Sequence, residues 1–189
     1  MNKQKQHFME IFEKLVRRRM TKKELALLEI AKQAIELNKD CGAKLSGSLM
    51  LALRGLHIRR EANDIDIICD FLSEKGAGLP YVPQGFKQSS MEGRKSSVEA
   101  IQYFNSDGVK LEFMQSKEPK TMVDGVPCGS LSMLLLAKRA YSKNDQSLES
   151  RTRHEEDLDY LTKNNKRRLP KMLQQEAQTK TSISHEDPF

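Results

Sequence analysis

Apolar positions recur at three- and four-residue steps through the first forty residues: Phe8, Ile11, Phe12, Leu15 and Val16, then Leu25, Leu28, Ala31 and Ile35. A period near 3.6 predicts two amphipathic helices. The second has a start signal, Thr21 with Glu24 three residues on, the pattern of a capping box. Asn38 to Gly42 closes it, with Gly42 as the C-terminal glycine. The pattern then changes. "AKLSGSLMLALRGL" reads as a short strand ending at Leu45 or Ser46, a tight turn at Gly47-Ser48, and a short helix from Leu49 to Gly55. After the polar stretch Arg59 to Asn63, the segment Asp64 to Cys69 reads as a strand.

Residues 73–96 are rich in Gly, Ser, Pro and Lys and read as a long surface loop with at most a short strand near Phe86. "SVEAIQYFN", the turn Ser106-Asp107-Gly108 and "VKLEFMQS" predict a β-hairpin. "MVDGVPCGS" reads as one further short strand broken by Gly125 and Pro127. Ser130 caps a helix over "LSMLLLAKRAYS", and another near Arg151 to Lys163 carries Leu158 and Leu161. The last stretch turns polar and basic, and from Gln178 it reads as disordered. The expected organisation is a helical segment over residues 1–40, an α/β (α+β) domain over 41–165 built on a small mixed β-sheet flanked by helices, and a basic polar tail over 166–189, partly disordered.

One feature of this pattern resists a purely structural reading. Strand interiors usually exclude aspartate, yet "NDIDIICD" places Asp64 and Asp66 between isoleucines. Strand side chains alternate, so the two acids share one face while Ile65 and Ile67 take the other. Their backbones stand roughly 7 Å apart, and two charges that close repel unless a cation lies between them. Mg²⁺ suits that place, because it accepts a few carboxylates and completes its shell with water and phosphate oxygens. "KLEF" offers a third acid, Glu112, between Leu111 and Phe113. Three acids can hold two metal ions about 3.5–4 Å apart, an arrangement suited to displacement at phosphorus. Upstream, Gly47-Ser48 sits at a strand-to-helix turn, where glycine permits close backbone approach and free N–H groups attract phosphate.

Composition narrows the class. The chain has 189 residues, 38% hydrophobic and 31% charged, with no Trp, which suits one charged globular domain. A formal net charge of +6 favours polyanionic partners such as nucleotides or nucleic acid. Cys41, Cys69 and Cys128 form no CxxC pair, which argues against a disulfide framework and a cysteine zinc site and fits a reducing cytoplasm. The N-terminus lacks the apolar core of a signal peptide, and the longest apolar run, Met133 to Ala137, cannot span a bilayer; no membrane partner is expected. An RNA-binding domain is the weaker class, since four Tyr and seven Phe are scattered rather than set in a base-stacking pattern.

"SGS", then "NDIDI", then "KLEF" together resemble the nucleotidyltransferase superfamily, whose sheet carries Gly-Ser or Gly-Gly, then Asp-x-Asp, then a third acid on a later strand. "RGLHIRREANDIDI" looks especially like its small bacterial members, among them antibiotic nucleotidyltransferases and nucleotidyltransferase-like toxins. "LSMLLLAKRA…RHEEDLDYL" looks like the end of that domain, so the resemblance spans residues 40–162. Two departures stand out: fifteen residues separate Ser48 from Asp64, longer than usual, and no partner domain of the larger antibiotic-modifying members is seen. The resemblance implies that Asp64 and Asp66 bind Mg²⁺, two ions in all, together with the triphosphate of a nucleotide such as ATP. Glu112 would complete the second metal site or deprotonate an acceptor hydroxyl. Gly47 and Ser48 would hold the β- and γ-phosphates, and Lys138 would reach the triphosphate. The acceptor, a hydroxyl of a small molecule, a protein or an RNA end, is unspecified, as is the oligomeric state.

Each residue also has a plain alternative. Asp64 and Asp66 would line the wet face of an edge strand, Lys110, Glu112 and Met114 a surface row, and Gly47-Ser48 an ordinary turn. Lys138 would be a snorkelling surface lysine, and Arg59 and Arg60 would stand in solvent rather than clamp phosphate. His154, among Glu155, Glu156, Asp157 and Asp159, lacks metal-ligand geometry and reads as part of a solvated helix face. Lys166 to Lys171 reads as a soluble helix end rather than an RNA contact. The reading as a whole is a Mg²⁺-dependent nucleotidyltransferase; the alternative is a non-catalytic nucleotide-, nucleic-acid- or protein-binding protein of the same fold.

Overall fold

Thr21 begins the first helix as its spacing requires: its hydroxyl accepts from Glu24 N at 3.1 Å, and Glu24 Oε2 accepts from Thr21 N at 3.0 Å. The second oxygen of Glu24 accepts from Ala62 N at 3.1 Å, so one buried carboxylate both caps the helix and ties it to the chain entering the central strand. The structure is a computed structural model describing residues 20–72, 80–89, 100–145 and 147–183. The helix expected over Phe8 to Val16 and most of the Gly/Ser/Lys-rich loop lie outside the described residues.

Five helices and seven strands are described. They are α1 (Lys22–Leu37), β1 (Lys44–Leu45), α2 (Gly47–Leu53), β2 (Asp64–Cys69), β3 (Lys87–Gln88), β4 (Ala100–Phe104), β5 (Lys110–Gln115), β6 (Thr121–Val123), β7 (Val126–Cys128), α3 (Leu131–Asn144), α4 (Leu148–Asn164) and α5 (Leu169–Ile183). A single 3₁₀ turn, Lys39–Cys41, ends at Gly42 in the left-handed region (φ 68°). The strands form one mixed sheet in the order β3-β4-β5-β2-β1-β7-β6. Within it β2 runs parallel to β5 and β1 parallel to β7, while the other neighbours are antiparallel. This is the expected α/β domain around a mixed sheet.

Period-2 alternation divides the sheet chemically. Ile65 and Ile67 pair in register with Leu111 and Phe113, and all four are fully buried in a core shared with Leu27, Ala31 and Ala34 of α1. Each such side chain contributes about 1.5–3 kcal/mol on leaving water. Tyr103 meets Phe113 edge-on on this side, with ring centroids 6.0 Å apart. The opposite face carries the polar residues of β2, β4 and β5. A second, smaller core gathers Leu51, Leu56, Leu131, Leu135, Leu161 and Leu169, joining α2 to the three C-terminal helices.

Two segments differ from the sequence reading. Residues 121–128 form two strands rather than one, because Asp124 (φ 47°) and Gly125 (φ 76°) supply the two positive φ values of a tight primed hairpin turn. The stretch read as a polar tail forms the 15-residue α5, which extends past Gln178. Leu169, Met172 and Leu173 bury one stripe of it. The fourth position of that stripe is Glu176, whose charge hid the pattern. It is buried for a reason: its carboxylate accepts from Leu131 N at 2.7 Å, Ser132 N at 3.0 Å and Ser130 Oγ at 3.1 Å, capping the start of α3. Four N-terminal amides of a helix need such acceptors.

Candidate active site

The parallel register of β2 and β5 sets Asp66 directly beside Glu112 and Asp64 beside Lys110. Glu112 therefore shares the sheet face of Asp64 and Asp66. A register shifted by one residue would have sent it into the core. Lys110 lies among the acids, its Nζ 3.0 Å from Asp64 Oδ2 and 3.1 Å from Glu112 Oε2. Burial pulls the lysine's pKa down, but the three carboxylates more than offset this and hold it above the ordinary value. Gln102, opposite Glu112 on β4, donates to the same Glu112 oxygen.

Asp66 is the least satisfied of the three. Loss of solvation, with repulsion from Asp64 behind it, raises its pKa to about 7 against the opposing pull of Lys110. Its surroundings are built by Gly47. The residue has φ 65°, and a methyl group placed on it would lie 1.8 Å from Asp66 Oδ2 and 2.7 Å from its carboxyl carbon. Ser46 N donates to Asp66 O at 2.8 Å, fixing the strand-to-helix turn against β2. Glycine is needed here for both reasons at once, a left-handed backbone and direct contact with a carboxylate.

Ser48, the next residue, opens onto a small pocket with Arg59, Arg60, Lys138 and Asp157, floored by Leu51 and Ile58. Asp157 gathers the cations: Arg59 Nε at 3.2 Å, Arg60 at 3.3 Å and Lys138 Nζ at 3.7 Å. Arg59 also pairs with Glu156 at 2.8 Å. Three cations around one mostly buried carboxylate leave positive charge beside Ser48. Lys138 is 7% exposed, so it is no surface lysine. Arg59 and Arg60 are exposed, as the plain alternative has it, and each also pairs with Asp157 of α4.

His154 is corrected more sharply. It is half-buried rather than on a solvated face, its ring stands 5.4 Å from that of Tyr141, and its Nδ1 has no partner. Burial and the charge of Lys138 lower its pKa. Tyr141 drew no notice in the sequence. Its only signal is its place one helical turn after Lys138.

Oxygen donors from Asp64 and Asp66 suit a hard divalent cation, and burial, with repulsion from Asp64 behind it, disfavours the bare Asp66 carboxylate. By donor type the pair would suit one such ion, with water or phosphate oxygens needed to complete its shell. Among the described residues no three acid, histidine or cysteine side chains converge as a ready ligand set. Glu112 is held by Lys110 and Gln102 instead.

No family model matches this chain, and no curated protein matches it. Among solved structures the chain is similar to JHP933 from Helicobacter pylori, with 18% identity and a TM-score of 0.45 over 76% of this chain and 68% of that one. It is also similar to an H. pylori protein provisionally named a nucleotidyltransferase, with 18% identity and a TM-score of 0.38 over 63% of this chain and 59% of that one. No helix among the described residues is long and apolar enough to cross a membrane.

Proposed function

We propose that this protein is a cytoplasmic, Mg²⁺-dependent nucleotidyltransferase that moves a nucleoside monophosphate from a triphosphate to an acceptor hydroxyl. The observation that carries the reading is the placement of Asp66 between Glu112 across the ladder and Gly47 against its carboxylate, beside a cationic pocket that opens at Ser48. The H. pylori likeness is too distant to add to it.

In this reading Asp64 and Asp66 hold one Mg²⁺, which supplies charge neutralisation at the phosphates. A second ion would require Glu112 and Asp64 to release Lys110. Ser48, Lys138, Arg59 and Arg60 would meet phosphate oxygens at the mouth of the pocket, whose interior has room for about one water, once part of the Asp157 pairing is displaced. Glu112 takes the acceptor's proton as the acceptor oxygen bonds to the α-phosphorus. The bond from that phosphorus to the bridging oxygen breaks, and pyrophosphate departs with the electron pair.

One observation favours a second reading, a non-catalytic nucleotide- or nucleic-acid-binding protein of the same fold: Lys110 pairs with both Asp64 and Glu112 and offsets part of their charge. Calorimetric titration with each of the four nucleoside triphosphates, with and without Mg²⁺, separates the two. The transferase reading expects Mg²⁺-dependent binding that Asp64→Asn and Asp66→Asn abolish, and transfer of α-phosphate label to an acceptor fraction. Binding indifferent to Mg²⁺ would establish the second reading. Absence of binding would remove both for nucleotides.

A further inference from the structure

Lys138 and Tyr141 lie one turn apart on α3, and Asp157 and His154 lie one turn apart on α4. Their contacts form successive rungs along the seam of the two helices. Lys138 Nζ stands 3.7 Å from Asp157, and in the next rung the rings of Tyr141 and His154 lie 5.4 Å apart at an interplanar angle of 38°. The first rung belongs to the cationic pocket with Ser48. The second lies within electrostatic reach of the acid row: burial first, then the carboxylates of Glu112 and Asp66, raise the pKa of Tyr141.

Neither ring behaves as an ordinary core residue. Tyr141 keeps 37% of its surface exposed beside the charged cluster, and His154 Nδ1 is shut off from water with no hydrogen-bond partner. A buried polar nitrogen left unsatisfied is uncommon and calls for a cause. The seam thus runs from a cluster of cations to a partly exposed aromatic ring, and a nucleotide carries complements to both in one molecule. Every base offers a π-face, so an aromatic platform accepts it without demanding one sequence of donors.

We propose that Tyr141, backed by His154, is the nucleobase platform of the triphosphate site. This rests on the nucleotide reading above and goes beyond it by assigning the base a place on the α3–α4 seam. The base stacks on the open face of Tyr141, and the imidazole supports that ring from behind. Tyr141 and His154 determine how much the base adds to the affinity set by the phosphates, while the acids and the cationic pocket remain responsible for the phosphate end.

The test compares two kinds of ligand by calorimetry in the presence of Mg²⁺: ATP, GTP, CTP and UTP on one side, inorganic tripolyphosphate on the other. Tripolyphosphate offers the phosphates without the base. The 189-residue protein is expected to bind at least one nucleotide roughly tenfold or more tightly than tripolyphosphate. Tyr141→Ala should weaken that nucleotide roughly 5- to 150-fold, the range seen when base–aromatic stacks are truncated, and leave tripolyphosphate unchanged. Tyr141→Phe should keep the nucleotide affinity, and His154→Ala should lose part of it. Should alanine at 141 unfold the helix pair, Tyr141→Leu keeps bulk there and removes the π-face.

Equal affinity of the wild type for nucleotides and tripolyphosphate would overturn the platform while leaving the phosphate site standing. So would a Tyr141→Ala variant that loses both ligands equally or neither. If the wild type binds neither tripolyphosphate nor any nucleotide, the nucleotide reading itself falls, and the platform with it.

Discussion

The backbone of Gly47 rests on the carboxylate of Asp66: a methyl group at 47 would stand 1.8 Å from Asp66 Oδ2. No side chain fits between the first turn of α2 and the acid face of β2, so these residues are matched as a pair. Gly47→Ala should therefore destabilise the protein by about 2–4 kcal/mol, combining a left-handed backbone with a collision. Urea denaturation measures this. In an Asp66→Ala background the penalty should shrink, leaving chiefly the backbone part, and strictly additive losses would contradict the contact.

Asp66 should make the protein less stable as pH rises. Its folded pKa of about 7 lies above the ordinary 3.8, so the native state holds the proton more tightly than the unfolded chain does. The advantage is complete below pH 4 and disappears as pH climbs to 7. Asp66→Asn should flatten this slope and raise stability at pH 8 by on the order of 1–3 kcal/mol. A thermal melting series from pH 5 to 8 in which the variant keeps the wild-type slope would assign the slope to another group.

Mg²⁺ binding to Asp64 and Asp66 should expel the Asp66 proton. With its pKa raised to about 7, the acid carries part of a proton at neutral pH, so a fraction of a proton should leave per ion bound. Calorimetry in buffers of different ionisation enthalpy counts it. No proton release, with Mg²⁺ bound, would place the ion elsewhere.

Lys110→Gln removes the ammonium that sits 3.0 Å from Asp64 and 3.1 Å from Glu112. The metal-free protein should lose stability at neutral pH, because two carboxylates keep their repulsion and lose their counter-charge. Mg²⁺ should then bind about tenfold more tightly, since it no longer competes with the lysine. Unchanged Mg²⁺ affinity would show that lysine and ion occupy separate places.

Glu176→Ala should cost about 2–4 kcal/mol, measured by chemical denaturation, because it strips the start of α3 of a charged acceptor. Burial alone would raise the pKa of Glu176, but the bonds from Ser132, Leu131 and Ser130 outweigh it and hold the carboxyl below its usual value of 4.5. Its stabilisation is thus present above pH 4.5 and lost as pH falls through the lowered folded value. A Glu176→Gln variant should lack that acid-side loss.

Local rules made much of the fold legible. The capping box at Thr21, the left-handed Gly42, the turn at Gly47 and the β4–β5 hairpin all follow from short-range steric and hydrogen-bonding demands that their own residues carry. The β6–β7 hairpin is equally local, carried by its Asp-Gly turn. α5 was harder to see, since a buried glutamate occupies its apolar stripe and its partners lie about 45 residues away in sequence. Tyr141 and His154 carried still less signal, because a lone aromatic and a histidine among acids look like surface until another helix covers them.

The sequence by itself determined that Asp64 and Asp66 share a face, since alternation along an extended strand follows from backbone geometry alone. It likewise determined that a glycine stands where the strand turns into α2. Only the tertiary structure decided that Glu112 joins them, because the parallel register of β2 and β5 depends on how two distant segments bury their opposite faces together. Only it decided that Lys110 enters the acid row and that Lys138, Asp157, Tyr141 and His154 meet along one seam. Such pairings have no local cause: each is chosen by the packing of the whole core, where a one-residue slip would send every acid to the apolar side.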